Sequence, residues 1–327
     1  MARGHIDMPT NTKAFNLNKR NIFSKLMVID NDNSARDRIL RMETDFRKRI
    51  DSHISSLPAA SAQFQKFNTS PFVLMFYSRQ KGYRHVSEIE KDIVPAKVFS
   101  SMETSAGRMV ETVVLPIYGW TAVPSVMHSS ESVLDGKKES SGCVFKGATL
   151  KSGPRCLNDE MAKDIGIDIV THANIWARSN KATEVEFTYG VLYGTKKQSN
   201  KKDWHILRNI QQTIPKGGNV ITPCRHNWSI SYSLDNVTVN ASVRVGVEWW
   251  EYLGGPNAWI ELCIALIRAC IDPADVQKDS PSFIIRDLAS ILDHRFLNED
   301  YNVSLLQRSQ FEWLLFLARH FCDELTV

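Results

Sequence analysis

The chain lacks the long apolar runs that membrane-spanning helices require. Its polar beginning, Met1 to Lys19, also lacks the apolar block that a signal peptide carries. The six cysteines are scattered without a CxxC pair, which argues against a disulfide scaffold and against a structural zinc site. These absences predict a soluble, unsecreted protein without a membrane anchor, located in the reducing cytoplasm.

Several catalytic and nucleotide-binding motifs are missing as well. The sequence contains no Walker-type loop, GxGxxG turn, HExxH helix or GxSxG elbow. Because each motif supplies the phosphate-binding or reactive groups of its class, these absences argue against four classes of protein. They are nucleotide-driven motors, dehydrogenases, zinc proteases and α/β-hydrolases.

The composition is that of a globular chain with a sizeable core, since 43% of its 327 residues are hydrophobic and 23% are charged. The net charge of +4 is unevenly distributed. Residues 271–327 contain ten acids and five bases, so positive charge is concentrated in residues 1–270. A polyanion is therefore a candidate partner of that part, although an ordinary solvated surface explains the same charge.

Hydrophobic periodicity predicts helical ends around an α/β middle. Apolar spacings of three and four predict helices at residues 34–57, 100–116, 158–176, 259–270 and 313–321. Strand-like patterns occupy residues 72–77, 144–151, 184–194, 219–234 and 237–247. Residues 1–33 are predicted to form an arm or an irregular lead-in.

The order strand, long helix, strand in the middle of the chain is that of a βαβ unit, whose two strands run parallel. The sequence thus predicts an α/β fold with a mixed central β-sheet flanked by helices over residues 98–250. An N-terminal arm and helical region, 1–97, and a C-terminal helical region, 251–327, are predicted to complete one compact unit.

An acid and a lysine in this middle region are predicted to meet. If Asp135 opens one strand and Lys151 ends the next, a hairpin brings their side chains together, and Glu111 is offered from a nearby helix. Mg²⁺ takes oxygen ligands and keeps several waters, so one or two carboxylates suffice to hold it. A neighbouring lysine ammonium can assist phosphodiester hydrolysis by orienting the nucleophile or stabilising the transition state.

Segments of this region resemble type II restriction endonucleases of the PD-(D/E)xK nuclease superfamily. The segments are SSMETSAGRMVE, MHSSESVLDGK, ATLKSGPRCLND and VLYGTKKQSNKK, all between residues 98 and 210. The resemblance implies a restriction-endonuclease-like core with a magnesium site. In the superfamily, that site consists of a helix glutamate, an aspartate that opens one strand, and an acid-x-lysine tripeptide on the next strand. The matching residues here are Glu111, with Glu103 as the weaker option, Asp135 and Lys151.

The sequence departs from the superfamily pattern at the acid of the tripeptide, where it has Thr149. Threonine is a poorer Mg²⁺ ligand than a carboxylate. Some members of the superfamily supply the missing acid from the following helix, which nominates Glu160 or Asp164. Glu111 could do the same from the preceding helix, so the resemblance leaves the second metal ligand open.

Basic residues surround the predicted site. Residues 194–208 contain four lysines and an arginine against one acid, Asp203, and could follow a phosphate backbone; a solvated lysine loop is the alternative. Asn158 could contact DNA or simply cap a helix. The candidate DNA-binding residues are Arg155, Asn158, Lys196, Lys197, Lys201 and Lys202.

The resemblance implies a Mg²⁺-dependent endonuclease that cuts double-stranded DNA at a short specific sequence, with a cognate DNA methyltransferase as a functional partner. A homodimer is expected, because two-fold symmetry matches a palindromic site and places one active centre on each strand. Two alternatives stay open: another nuclease of the superfamily in repair or defence, and a non-catalytic DNA-binding protein. The corresponding structural interpretations are that Asp135 is a turn residue, Lys151 a solvated lysine and Glu111 a surface residue.

Overall fold

A computed structural model describes residues 19–57, 63, 70–124, 129–139, 143–215, 223–224, 227–273 and 301–321. The α-helices of these residues are α1 (Lys19–Asp30), α2 (Asn33–Ser56), α3 (Pro71–Lys81), α4 (Glu90–Ile117), α5 (Asp159–Ser179), α6 (Lys202–Thr213), α7 (Val247–Gly254), α8 (Ala258–Cys270) and α9 (Arg308–Phe321). A short 3-10 helix, Val86–Ile89, precedes α4. The strands are β1 (Thr121–Ala122), β2 (Gly136–Glu139), β3 (Val144–Lys151), β4 (Glu184–Val191), β5 (Ser229–Leu234) and β6 (Val237–Val245).

The strands form one mixed sheet in the order β1-β2-β3-β4-β6-β5. The neighbours β3, β4 and β6 run parallel, whereas β2 pairs with β3, and β5 with β6, in antiparallel register. Helix α5 joins β3 to β4 as the crossover of the βαβ unit that the sequence predicts. The prediction of a mixed α/β fold with a central sheet flanked by helices is confirmed.

Hydrophobic cores lie on both faces of the sheet. On one face, α5 and α6 cover alternate side chains of β4 and β6, such as Phe187 and Val239. On the other face, Ala148 and Leu150 of β3 join a core formed largely by α1, α2, α4, α7, α8 and α9. The alternation in β3 therefore separates two cores.

Among the described residues, no helix combines the length and the apolar character needed to cross a membrane.

The helices of both chain ends share one of these cores. Arg38 of α2 forms two hydrogen bonds, of 2.8 and 2.7 Å, with the buried carboxylate of Glu261 in α8. The hydroxyl of Tyr118 donates a third, of 2.8 Å, to the same carboxylate. The sequence boundaries at 97/98 and 250/251 fall inside α4 and α7, so both helices bridge the regions expected from the sequence.

Three segments differ from the sequence prediction. Residues 72–77, predicted to be a strand, belong to α3, which has Pro71 at its first position and left-handed Gly82 as its C-cap. Residues 19–30 of the predicted irregular lead-in form α1, which buries Ile22, Leu26 and Ile29 along one face. Part of residues 194–208, which we call the basic segment, forms α6. Residues 1–18 and 219–222 lie outside the described residues.

We expect Arg38→Leu to lower the free energy of unfolding by roughly 3 kcal/mol, because it leaves the buried Glu261 carboxylate without its charged partner. Urea unfolding followed by circular dichroism measures the change. Arg41→Leu on an exposed face of the same helix is the matched control and is expected to change stability by less than about 0.5 kcal/mol. Equal effects of the two substitutions would show that the ion pair does not hold α2 to α8.

Candidate active site

Asp135 lies immediately before β2 and is fixed to β3 by two hydrogen bonds. Its backbone N–H donates to the carbonyl oxygen of Ala148 over 2.8 Å. Its Oδ2 atom accepts a hydrogen bond of 2.6 Å from the backbone N–H of Leu150. Because Gly136 pairs with Ala148 in antiparallel register, the predicted hairpin is present and brings Asp135 beside the end of β3, where Lys151 is the last residue.

Glu111 approaches the same end of β3 from α4. The helix contacts the residue that follows Lys151, since a Cβ atom placed on Gly107 would lie 3.5 Å from Cβ of Ser152. Glu111 is four residues after Gly107 and therefore projects from the same face of the helix, one turn further along. The helix, the start of β2 and the end of β3 thus each contribute one ionisable side chain.

The three side chains interact electrostatically. The pKa of Glu111 is raised to about 7, mainly by burial and also by the charge of Asp135, while the charges of Lys151 and Arg108 oppose the rise. Burial also raises the pKa of Asp135, against the effects of the Leu150 N–H and of the Lys151 ammonium. We call Glu111, Asp135 and Lys151 the acid–lysine cluster.

Thr149, at the acid position of the tripeptide, has a structural role. Its side chain is buried, and its hydroxyl donates a hydrogen bond to the carbonyl oxygen of Val133 just before Asp135. This bond helps to hold the β2–β3 hairpin together. The hydroxyl is therefore committed to the backbone and does not replace the missing carboxylate.

Four carboxylates are candidates for the second acid of the site. Glu160 and Asp164 lie on exposed positions of α5, and Glu103 is exposed on α4, two turns before Glu111. The charges that shift the pKa of Asp135 and of Glu111 include none of those three. Of the four, Glu111 is the one that shares the half-buried surroundings of Asp135.

The donor set of the cluster fits a hard cation with a small number of protein ligands. Within the described residues, no group of three or more His, Cys, Asp or Glu side chains could hold a metal ion. The two carboxylates, Asp135 and Glu111, match the preference of Mg²⁺ for oxygen ligands, with waters and substrate oxygens in the remaining positions. They do not match the four-ligand nitrogen and sulfur sites typical of structural zinc.

The segment between β4 and α6 packs against the turn that follows β3. The backbone N–H of Asn200 donates to the carbonyl oxygen of Pro154 over 3.3 Å, and its Nδ2 donates to that of Leu157 over 3.0 Å. Nε of Arg155 donates to the carbonyl oxygen of Gln198 over 3.1 Å. These bonds hold the basic segment against the turn that begins directly after Lys151.

Three of the predicted DNA-binding residues present their charge to solvent. Arg155, Lys197 and Lys201 are exposed. They lie on the turn after β3 or on the basic segment, and we call them the basic rim. Their charges are therefore accessible to an anionic partner that approaches the cluster.

The other three predicted DNA-binding residues have structural partners. Lys196 pairs with Glu248 at 2.7 Å, and its Nζ lies 5.3 Å from the centroid of the Trp228 ring. Lys202 forms an ion pair with Asp159 at the start of α5. Asn158 caps that helix, because its Oδ1 accepts a 2.8 Å hydrogen bond from the N–H of Met161. The cap role, one of the two roles open to Asn158 from the sequence, is observed.

A buried acid beneath the basic segment was not found from the sequence. Asp203 is buried at the start of α6, and its Oδ2 accepts a 2.7 Å hydrogen bond from the Ser199 hydroxyl. Burial raises the pKa of Asp203 to about 6, although the Ser199 bond opposes the rise. Charge counting treats Asp203 as a surface acid that offsets the lysines; only its position in α6 reveals that it lies inside.

Comparisons with known proteins do not assign this site to a family. No model of a protein family matches the chain, and no curated protein is significantly similar to it. The functional interpretation therefore depends on the geometry and charge of the acid–lysine cluster and the basic rim.

Glu111→Gln is expected to raise the unfolding temperature of the metal-free protein more at pH 8 than at pH 5. The pKa of Glu111 is about 7 in the folded chain and is raised from 4.5, so the fold binds the proton more tightly than the unfolded chain does. Stability is therefore lost as the pH rises through this interval, and the uncharged glutamine avoids that loss.

Thermal unfolding of both proteins at the two pH values measures this difference. Glu103→Gln, on an exposed turn of the same helix, is the matched control and should give the same small change at both pH values. If Glu111→Gln raised the unfolding temperature more at pH 5 than at pH 8, the result would contradict a raised pKa of Glu111 in the folded chain.

Proposed function

We propose that the protein is a Mg²⁺-dependent endonuclease that hydrolyses phosphodiester bonds of double-stranded DNA. The observation that carries the proposal is the meeting of Glu111, Asp135 and Lys151, from three separate elements, at the end of β3. The basic rim lies on the turn after β3 and on the segment packed against that turn, and it offers positive charge to a phosphate backbone. A nuclease needs both features in one place.

The proposed roles follow from the chemistry of each side chain. Asp135 and Glu111 would hold the magnesium ion. When bound, the ion supplies charge neutralisation at the phosphate and lowers the pKa of a water. Lys151 would place its ammonium beside the scissile phosphate and stabilise the negative charge that grows on the phosphate oxygens. Partial burial strengthens this attraction, because little water separates the charges.

We further propose that the enzyme has a restriction-endonuclease-like core and acts as a type II restriction endonuclease. It would work in the cytoplasm as a homodimer, cut a short specific sequence, and be accompanied by a cognate DNA methyltransferase. Support comes from where the resembling segments fall in the fold. They occupy α4 around Glu111, the start of β2 at Asp135, the end of β3 at Lys151 and the basic segment after β4.

A non-catalytic DNA-binding protein is the second candidate, because Thr149 replaces the acid of the tripeptide and the cluster has two carboxylates. A gel assay of plasmid DNA incubated with the protein, in Mg²⁺ or in EDTA, separates the candidates. Discrete fragments in Mg²⁺ alone support the site-specific endonuclease, and a smear supports another nuclease of the superfamily. DNA binding without cleavage supports the non-catalytic protein.

We expect Asp135→Asn, Glu111→Gln and Lys151→Met each to lower the cleavage rate by about 100-fold or more, because each removes a charge acting on the reacting phosphate. Single-turnover cleavage on gels measures the rate, and a filter-binding assay should show that DNA binding is retained. Lys163→Met on exposed α5 is the matched control for the lysine and should leave the rate within about twofold.

Glu160→Gln and Asp164→Asn test the alternative assignment of the second acid. Both are expected to cleave at nearly the wild-type rate, since neither side chain acts on the carboxyls of the cluster. Loss of cleavage in either variant, with normal cleavage in Glu111→Gln, would transfer the ligand role from α4 to α5.

Lys197→Gln and Lys201→Gln should each weaken DNA binding and reduce the slope of log affinity against log salt by about one, because each lysine neutralises about one phosphate. Fluorescence anisotropy in EDTA at several salt concentrations measures the slope. Lys163→Gln is the control and should leave it unchanged. An unchanged slope in both rim variants would mean that DNA does not cross this side of the cluster.

A further inference from the structure

Helix α3 exposes large apolar side chains over most of its circumference. Phe72, Val73, Met75 and Phe76 are 72%, 56%, 65% and 75% exposed, and no residue of the helix is buried. An apolar helix is normally covered, because its side chains gain free energy when they leave water. The helix as described lacks that cover.

Exposed apolar side chains also occur on the two elements that follow α3, and we call α3, the 3-10 helix and α4 the helical hairpin. Val86 of the 3-10 helix is 91% exposed, and Phe99 of α4 is 66% exposed. Between α3 and α4 lies an open groove of about 310 Å³, whose apolar lining includes Leu74, Tyr77 and Ile93. We call the six exposed side chains the hairpin patch: Phe72, Val73, Met75, Phe76, Val86 and Phe99.

The size of the hairpin patch suits an interface between proteins. An aromatic side chain has a surface of about 150–250 Å², and an aliphatic one has somewhat less. Multiplying these areas by the exposed fractions of the six side chains gives a total of roughly 700 Å² of exposed apolar surface. The largest patch of a typical monomer is about 300–600 Å². Stable complexes bury about 800 Å² on each partner, so the patch is close to one half of a standard interface.

We propose that the hairpin patch is the surface through which two copies of this chain form a two-fold symmetric dimer. A two-fold interface presents the same surface on both sides, and an apolar patch is complementary to itself. Two patches together would remove about 1,400 Å² from water, which lies within the range of stable interfaces. A smaller apolar partner would leave part of the patch exposed.

The charges at the border of the patch are compatible with self-association. Arg79 and Lys81 lie near the end of α3, and Glu88 and Glu90 lie close to the start of α4. Because both signs of charge occur on these elements, a second copy can approach without facing charges of one sign alone. This arrangement, a polar border around an apolar centre, is common in protein interfaces.

The position of the patch also connects it to the candidate active site. Phe99 and Glu111 lie on the same helix, about 18 Å apart along its axis at 1.5 Å per residue. This step rests on the proposed function: dimerisation through the hairpin would couple two acid–lysine clusters through rigid helices. Each cluster would then serve one strand of the duplex.

The mass of the intact protein in solution tests the interface without DNA or Mg²⁺. Sedimentation velocity over a range of concentrations should give a dimer for the wild-type chain and a monomer for the double variant Phe72→Asp/Phe76→Asp. Val28→Asp, which places an aspartate at an exposed apolar position outside the patch, in α1, is the control and should remain dimeric. If the double variant does not fold, Phe76→Ser replaces it and should raise the dimer dissociation constant by at least tenfold.

A monomeric wild-type chain, or a dimer that is unaffected in folded variants of the patch, would overturn the inference. In the first case something else covers α3, and in the second the copies meet elsewhere. Plasmid cleavage keeps this result separate from the nuclease proposal. A dimer without cleavage retains the interface and rejects the nuclease, whereas a monomer that cleaves retains the nuclease and rejects the interface.

Discussion

The pairing of β2 with β3 is the constraint on which the candidate site depends. It places Asp135 opposite the last residues of β3, where the Leu150 N–H binds the carboxylate. Without that bond, a half-buried carboxylate would have only Lys151 to compensate for its lost hydration. The buried Thr149 hydroxyl supports the same hairpin through the carbonyl of Val133. The residue that removes an acid from the tripeptide therefore also helps to hold the remaining acid in place.

The acid–lysine cluster brings two carboxylates, Glu111 and Asp135, close enough to repel each other. Burial is the main reason that the pKa of Glu111 is about 7, and the nearby charge of Asp135 adds to the rise. A proton or a cation can relieve the repulsion between Glu111 and Asp135. At neutral pH a proton binds weakly, so a divalent cation would compete with it effectively. In the proposed function, the magnesium ion held by both carboxylates would have this role.

Local patterns in the sequence predicted the parts of this arrangement that depend on local structure. The alternation of residues 144–151 predicted β3, Asn158 was a candidate cap for α5, and the hairpin followed from their order. The strand expected at 72–77 was wrong because a short apolar run fits both helix and strand, and the flanking Pro71 and Gly82 decide for the helix. Long-range partners could not be predicted. Glu248, which pairs with Lys196, is 52 residues away in the chain, and the burial of Asp203 requires the packing of α6 against the sheet.

In the proposed site, α4 supplies the second carboxylate, and this arrangement has a structural consequence. In the tripeptide pattern, the acid and the lysine share one strand, so the spacing of the strand fixes both. Here Glu111 reaches the cluster because α4 packs on the turn after β3, where Gly107 faces Ser152. Movement of α4 would therefore displace one acid and leave the other acid and Lys151 unmoved. Since Phe99 of the hairpin patch lies on the same helix, about three turns before Glu111, a contact made at Phe99 could change the position of Glu111 through the helix itself.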